Sequence, residues 1–214
     1  MQNEYLQRLE DLLNPLEKAR AREIRDLFAS ALEQSELDPL THLPRRQGIM
    51  QAFAHAQSKI QRYGHPLALA LIDIDHFKRV NDTDGYRHLT GHDAGDLLLQ
   101  DTSELLKATL RSGDSVGRWG GEEFVAILPL VYDNQLSQLQ PAQQAMIVAE
   151  RMRGRMETQT GKTISLGITV YPTTISTPSL STMIHQADDA LYAAKEQGRN
   201  RSLLYTPSLL RKAL

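Results

Sequence analysis

Adjacent carboxylates, Glu122 and Glu123, stand between two glycines and an almost unbroken apolar run in VGRWGGEEFVAILP, residues 116–129. A second acidic pair, Asp73 and Asp75, closes another apolar run in LALALIDIDHFK, residues 67–78. A carboxylate that follows an apolar strand points into the mouth of the sheet, where desolvation is costly unless a cation or hydrogen-bond donors satisfy it. Two such groups on neighbouring strands make an oxygen-rich site suited to Mg²⁺, which takes one or two carboxylates and completes its shell with phosphate and water. Solvated strand-end acids would leave the same pattern, and the residues by themselves keep both readings open.

The basic residues extend the first reading. In DHFKRVND, residues 75–82, Lys78 and Arg79 follow the acidic pair, where a bend would expose backbone N–H groups to an anion and Lys78 would add a point charge. Lys195 and Arg199 stand four apart near the end of the last helical segment, so they share a face and can reach one anionic group. Acids and bases together describe a nucleoside triphosphate with its metal.

These residues need strands and helices to position them. LALALID (67–73), FVAILP (124–129) and TISLGITV (163–170) read as strands; SVGRW (115–119) pairs back on the second through the glycine turn, and SLLY (202–205) closes the sheet. Helical faces are marked by Ile49, Phe53, Ala56 and Ile60, stopped at Gly64 and Pro66; by Leu97, Leu98, Leu105 and Leu106; by Met146, Ala149, Met152 and Met156; and by Ile184, Ala187, Leu191 and Ala194, stopped at Gly198. The order predicts an α/β (α+β) domain, a mixed sheet covered by helices.

Residues 5–36 carry Leu6, Leu9, Leu13 and Leu16, then Ile24, Leu27 and Ala31, at alternating spacings of three and four, with Pro15 as a kink or restart. So narrow a seam in so charged a segment predicts a pairing helix. The turn-rich DPLTHLP (38–44) sets the boundary between a helical segment, 1–37, and one domain, 38–214. A formal net charge of −2 gives no bulk attraction to nucleic acid or acidic membranes. The absence of cysteine excludes disulfides and thiolate metal sites and, with no secretory leader or long apolar run, makes the cytoplasm the expected compartment, with no direct membrane contact.

DPLTHLP (38–44), DIDHFKRVND (73–82), GHDAGD (91–96), GGEEF (120–124) and AKEQGRN (194–200), in this order over residues 37–205, resemble the GGDEF-domain diguanylate cyclases. The resemblance implies a fold like the palm of nucleotidyl cyclases and polymerases, and condensation of two GTP into cyclic di-GMP with release of two pyrophosphates. It implies a homodimer, with one GTP per domain, and an upstream sensory domain or partner. Carried over by position, Asp73, Glu122 and the backbone carbonyl of Ile74 would bind Mg²⁺ or Mn²⁺, and Glu122 would help deprotonate the attacking 3′-hydroxyl. Lys78 would stabilise charge on the phosphates; Lys195 and Arg199 would hold the terminal ones; Asn81 and Asp96 would read guanine, with Phe77 beside them. Arg118 and Phe124 would support the hairpin. Arg111 and Asp114, the RxxD of RSGD, with Arg151 from AERMR, would bind the inhibitory product.

The chain departs from the family between Asn81 and Asp96, where DTDGYRHLTGHD makes the spacing six residues longer than usual. A surface bulge would leave the two residues able to converge, since added loop length costs little in closure entropy; a changed chain path would alter base recognition. His88 and His92 in this loop read as solvated. His42 replaces the favoured Gly and Arg45 the favoured Asn, positions that support the fold more than the chemistry. The alternative function is a catalytically silent domain that binds cyclic di-GMP or GTP as an effector module.

Overall fold

The computed structural model describes residues 20, 22–24, 37–130, 139–171 and 179–207, the side chains of 60 and 61 excepted. The chain divides into two compact units, Met1–Glu36 and Leu37–Leu214. In the first, residue 20 and residues 22–24 are helical and Ile24 is exposed, while the remainder of the expected apolar seam lies outside the described residues.

The second unit runs α1 (Arg46–Tyr63), β1 (Leu67–Ile74), a one-turn α2 (Phe77–Arg79) continued by a π-helical turn (Val80–Asp84), and α3 (Gly91–Thr109). The hairpin β2 (Ser115–Gly120) and β3 (Glu123–Pro129) follows, then α4 (Pro141–Thr160), β4 (Ile164–Tyr171), α5 (Leu180–Glu196) and β5 (Ser202–Leu204). The strands form one mixed sheet in the order β2-β3-β1-β4-β5, antiparallel except for the β4–β5 pair. The expected element order and mixed sheet are found; the π-helical turn is new. No helix among the described residues is long and apolar enough to cross a membrane.

β1 is central and buried on both faces, which is why it reads as an unbroken apolar run rather than an alternation. Its odd-numbered residues Leu67, Leu69 and Leu71 join Val125 and Ile127 under α1 and α5. Ala68, Ala70, Ile72 and Ile74 join Phe124, Ala126 and Leu128 under α3 and α4. Burying each large apolar side chain contributes about 1.5–3 kcal/mol, so strand parity fixes which face every later residue can reach. Asp73, two past Leu71, therefore faces α5.

Gly167 in β4 makes that helix lie close. A Cβ there would run into the Ala187 carbonyl oxygen and the backbone at Leu191, so the α5 backbone rests directly on the strand. Gly167→Ala is expected to destabilise the fold by about 1–3 kcal/mol, the usual effect of overpacking. It should also lift Lys195 from the strand ends. Denaturant melts check the first effect, and an unchanged midpoint would contradict the packing.

Candidate active site

The antiparallel register places Asp73 opposite Glu123, and the Ile74 N–H donates to the Glu122 carbonyl at 3.4 Å. The Gly120–Glu122 turn is thereby held at the end of β1. Asp73 is 6% exposed and receives Lys195 Nζ at 2.8 Å from the last turn of α5. Burial pushes the Asp73 carboxyl above its ordinary range; the Lys195 hydrogen bond and charge pull it back, the Asp75 charge adds to the rise, and the Arg199 charge opposes it. Glu122 is raised as well, first by burial, then by the charge of Asp73, with Glu123 adding and Lys195 opposing. Two carboxylates that discourage each other's ionisation, with a lysine between their fields, are a site that a cation would relieve. The donor set therefore fits a divalent ion held by two carboxylates and a carbonyl, the remainder of its shell left to phosphate and water.

The two aspartates of the DID segment separate in role. Asp75 is 4% exposed and fully engaged, accepting from Thr163 Oγ1 and Ser165 Oγ at 2.7 Å each and from the Asn200 N–H at 3.0 Å. It anchors the turn after α5, where Gly198, Arg199 and Asn200 all take positive φ. The Asn200 side chain is tied in addition to Arg153 and Glu157 of α4. This fixes Arg199 where its charge reaches Asp73. Spacing two along the chain gives both aspartates equal standing as strand-end acids; only the tertiary partners separate them.

The glycine turn is braced from β2 and from the segment before α1. Arg118 donates to the Gly121 carbonyl at 3.0 Å through Nε and 2.7 Å through Nη2, and Nη1 meets Asp38 Oδ1 at 3.0 Å. Asp38 also accepts from the Thr41 N–H and hydroxyl, and the Arg118 N–H donates to the Pro44 carbonyl at 2.9 Å. DPLTHLP, legible only as a turn, is thus the strut of the hairpin. His42 takes φ 53°, the left-handed conformation that explains a preference for glycine there. Arg46 Nε donates to the Trp119 carbonyl at 2.7 Å and its guanidinium lies 4.9 Å over the indole. Glu123 lines a groove of about 540 Å³ with Trp119, Leu71, Met50 and the Leu180–Asp188 stretch of α5.

Beyond β1 the chain turns at His76 (φ 57°) into α2, which carries Lys78 exposed to solvent. Asn81 is brought against the residue before Asp96 despite the longer spacing. A Cβ on Gly95 would collide with Asn81 Oδ1 and touch Phe77 Cζ, so Phe77 and Asn81 pack against the first turn of α3, one residue from the exposed Asp96. Asn81 Oδ1 is buried and has no hydrogen-bond partner. Such an atom is a strained element of a finished core and an ordinary one of a ligand pocket. His88 and His92 are exposed, and no group of three or more metal-ligating side chains occurs among the described residues.

Arg111 and Asp114 pair at 3.1 Å, Asp114 Oδ2 also accepts the Arg111 N–H, and Arg111 Nη2 reaches the Pro129 carbonyl. Arg151 Nη2 donates to the Thr109 carbonyl at 2.8 Å, two residues from Arg111. Arg155, absent from the expected set, caps the same helix end through the Ala108 carbonyl and Thr109 hydroxyl. Its signal in the sequence was the four-residue spacing from Arg151 on one helix.

With this geometry in place, the family described as "Diguanylate cyclase, GGDEF domain" matches residues 35–201. The chain belongs to that family. It is 33% identical over 193 residues to Diguanylate cyclase DosC of Escherichia coli (strain K12), covering 87% of this chain and 39% of that protein. It is 34% identical over 205 residues to Diguanylate cyclase A of Treponema denticola, covering 88% of this chain and 51% of that one. The crystal structure of diguanylate cyclase SiaD in complex with its activator SiaC from Pseudomonas aeruginosa superposes with a TM-score of 0.65 at 33% identity, covering 94% of this chain and 74% of that chain. The chain thus spans about two fifths to one half of these curated relatives.

A carboxylate whose folded pKa is raised weakens the fold above that pKa, and the penalty vanishes below the unfolded value. For Glu122 the raised direction makes the ionised form the destabilising one at neutral pH. Glu122→Gln is therefore expected to raise the melting temperature near pH 7.5 and to lose that advantage near pH 4. Thermal melts at the two pH values check this, and a lower melting temperature near pH 7.5 would contradict it.

Proposed function

We propose that this GGDEF domain is a metal-dependent diguanylate cyclase, active as a dimer and inhibited by its product. The observation that carries the reading is the buried Asp73 carboxylate beside Glu122 at the sheet mouth, with Lys195 on it and Arg199 in its field. Asp73, Glu122 and the Ile74 carbonyl would hold Mg²⁺ or Mn²⁺, which when bound supplies charge neutralisation at the phosphate oxygens.

This chain's own residues do the rest. Lys195, together with Arg199 held by the Asp75 anchor, binds the terminal phosphates, and exposed Lys78 offsets charge on the reacting phosphoryl group. Asn81 and Asp96 present a side-chain amide and a carboxylate to the guanine edge, with Phe77 against the same turn of α3; a site built this way leaves buried groups unpaired with the wrong base. Glu122, raised above the ordinary carboxylate range, is suited to accept the proton of the ribose 3′-hydroxyl. That oxygen attacks the α-phosphorus of the GTP held by the partner domain, the bond to pyrophosphate breaks, and two such steps close the ring. Because each domain holds one nucleotide, two must face one another, and the apolar seam of residues 5–36 is the element that would pair them, set by an upstream sensory domain or partner. Arg111, Asp114 and Arg151 form the product site at the end of α3.

Incubation with GTP and Mg²⁺ should yield cyclic di-GMP at a rate rising faster than linearly with protein concentration, and Glu122→Gln should lower it about 100-fold or more. Wild-type progress curves should flatten as product accumulates while those of Arg111→Ala stay straight. Binding of cyclic di-GMP with no turnover at high protein concentration would overturn the reading in favour of an effector module.

A further inference from the structure

The insertion after Asn81 is held by a cluster that the phosphate and metal chemistry does not use. Tyr86 is 5% exposed, and its hydroxyl donates to Asp101 Oδ2 at 2.8 Å on α3. Arg87 Nη2 meets the same oxygen at 2.9 Å, and its guanidinium lies 5.4 Å from the Tyr86 ring centroid. Tyr86 and Leu89 exchange both backbone hydrogen bonds at 3.0 Å, and Leu89 packs on the core. Gly85, at φ 65° with its Cβ position blocked by the Leu89 carbonyl, returns an N–H to the Val80 carbonyl at 3.1 Å. Val80 is the neighbour of Asn81, so a short covalent and hydrogen-bonded path runs from Asp101 through Tyr86 and Gly85 to the residue whose carbonyl oxygen is buried unpaired.

We propose that Tyr86, Arg87 and Asp101 form a lock that positions Asn81 against the first turn of α3 and thereby sets guanine recognition. This rests on the reading of Asn81 and Asp96 as the base-reading pair. Loop length has little effect on closure but much on positional spread; six extra residues free to move would let Asn81 leave Gly95, and pinning their turn to α3 removes that freedom. Asp101 lies five residues beyond Asp96 on one rigid helix, so the lock ties both halves of the pair to a single element. Tyr86, Arg87 and Asp101 are positioning residues that touch no substrate.

The test uses the full chain as wild type, Tyr86→Phe and Asp101→Asn, with 3′-deoxy-GTP, which lacks the attacking hydroxyl, and with tripolyphosphate, each titrated calorimetrically in Mg²⁺. Both variants should bind 3′-deoxy-GTP about 10- to 100-fold more weakly, the usual effect of losing a hydrogen bond to a charged group. They should hold tripolyphosphate as the wild type does, and amide exchange over residues 81–90 should quicken. Unchanged nucleotide affinity, or equal weakening of both ligands, would overturn the lock. A wild type that does not prefer 3′-deoxy-GTP to 3′-deoxy-ATP would instead overturn the guanine reading beneath it, a failure visible before any variant is made.

Discussion

The carboxylate of Asp73 sits at the end of a strand buried on both faces, where burial opposes its charge and one lysine answers it. A buried ion pair of this kind is weak evidence for stability, because desolvation of the two groups offsets much of their attraction. Its value is positional. Lys195 reaches Asp73 only because α5 lies on Gly167, and Glu122 approaches only because the β1–β3 register ends with the turn beside Ile74. Moving either element would leave a buried charge unanswered, so the sheet mouth constrains the packing of α5 and the hairpin together.

Support for this arrangement comes from residues that do no chemistry. Asp75 uses three hydrogen bonds to hold the turn that carries Arg199. Asp38 and Arg118 clamp the glycine turn, with open space where a Cβ on Gly121 would stand and the Gly121 carbonyl accepting two hydrogen bonds. Hydrogen bonds to charged groups contribute about 1.5–3 kcal/mol each, enough to keep two carboxylates close that would otherwise move apart. The acids of the two motifs divide accordingly: Asp73 and Glu122 are held above the ordinary carboxylate range, Asp75 is saturated with hydrogen bonds, and Glu123 lines a groove.

Apolar runs and glycine punctuation made nearly every strand and helix among the described residues of 37–207 legible, because strand parity and helix periodicity follow from which side chains must be buried. The site residues were legible as types at strand ends. What the sequence hid was partnership across long separations: Asp75 to Asn200, Asp38 to Arg118, Arg155 to the end of α3. The insertion was visible as a length and a pair of glycines, but its π-helical turn and its bond from Tyr86 to Asp101 depend on tertiary contacts that no local pattern encodes. Spacing alone left open the path of the chain between Asn81 and Asp96; the structure lays Asn81 against Gly95, the residue before Asp96.

In the proposed reaction Lys195 holds the Asp73 carboxylate until a metal ion displaces it. A crystal structure of the chain with 3′-deoxy-GTP and Mg²⁺ tests this most directly. The account predicts a cation on Asp73, Glu122 and the Ile74 carbonyl, with Lys195 Nζ moved from its 2.8 Å contact with Asp73 onto the terminal phosphates. Nucleotide bound with Lys195 still on Asp73 and no cation between the carboxylates would contradict it.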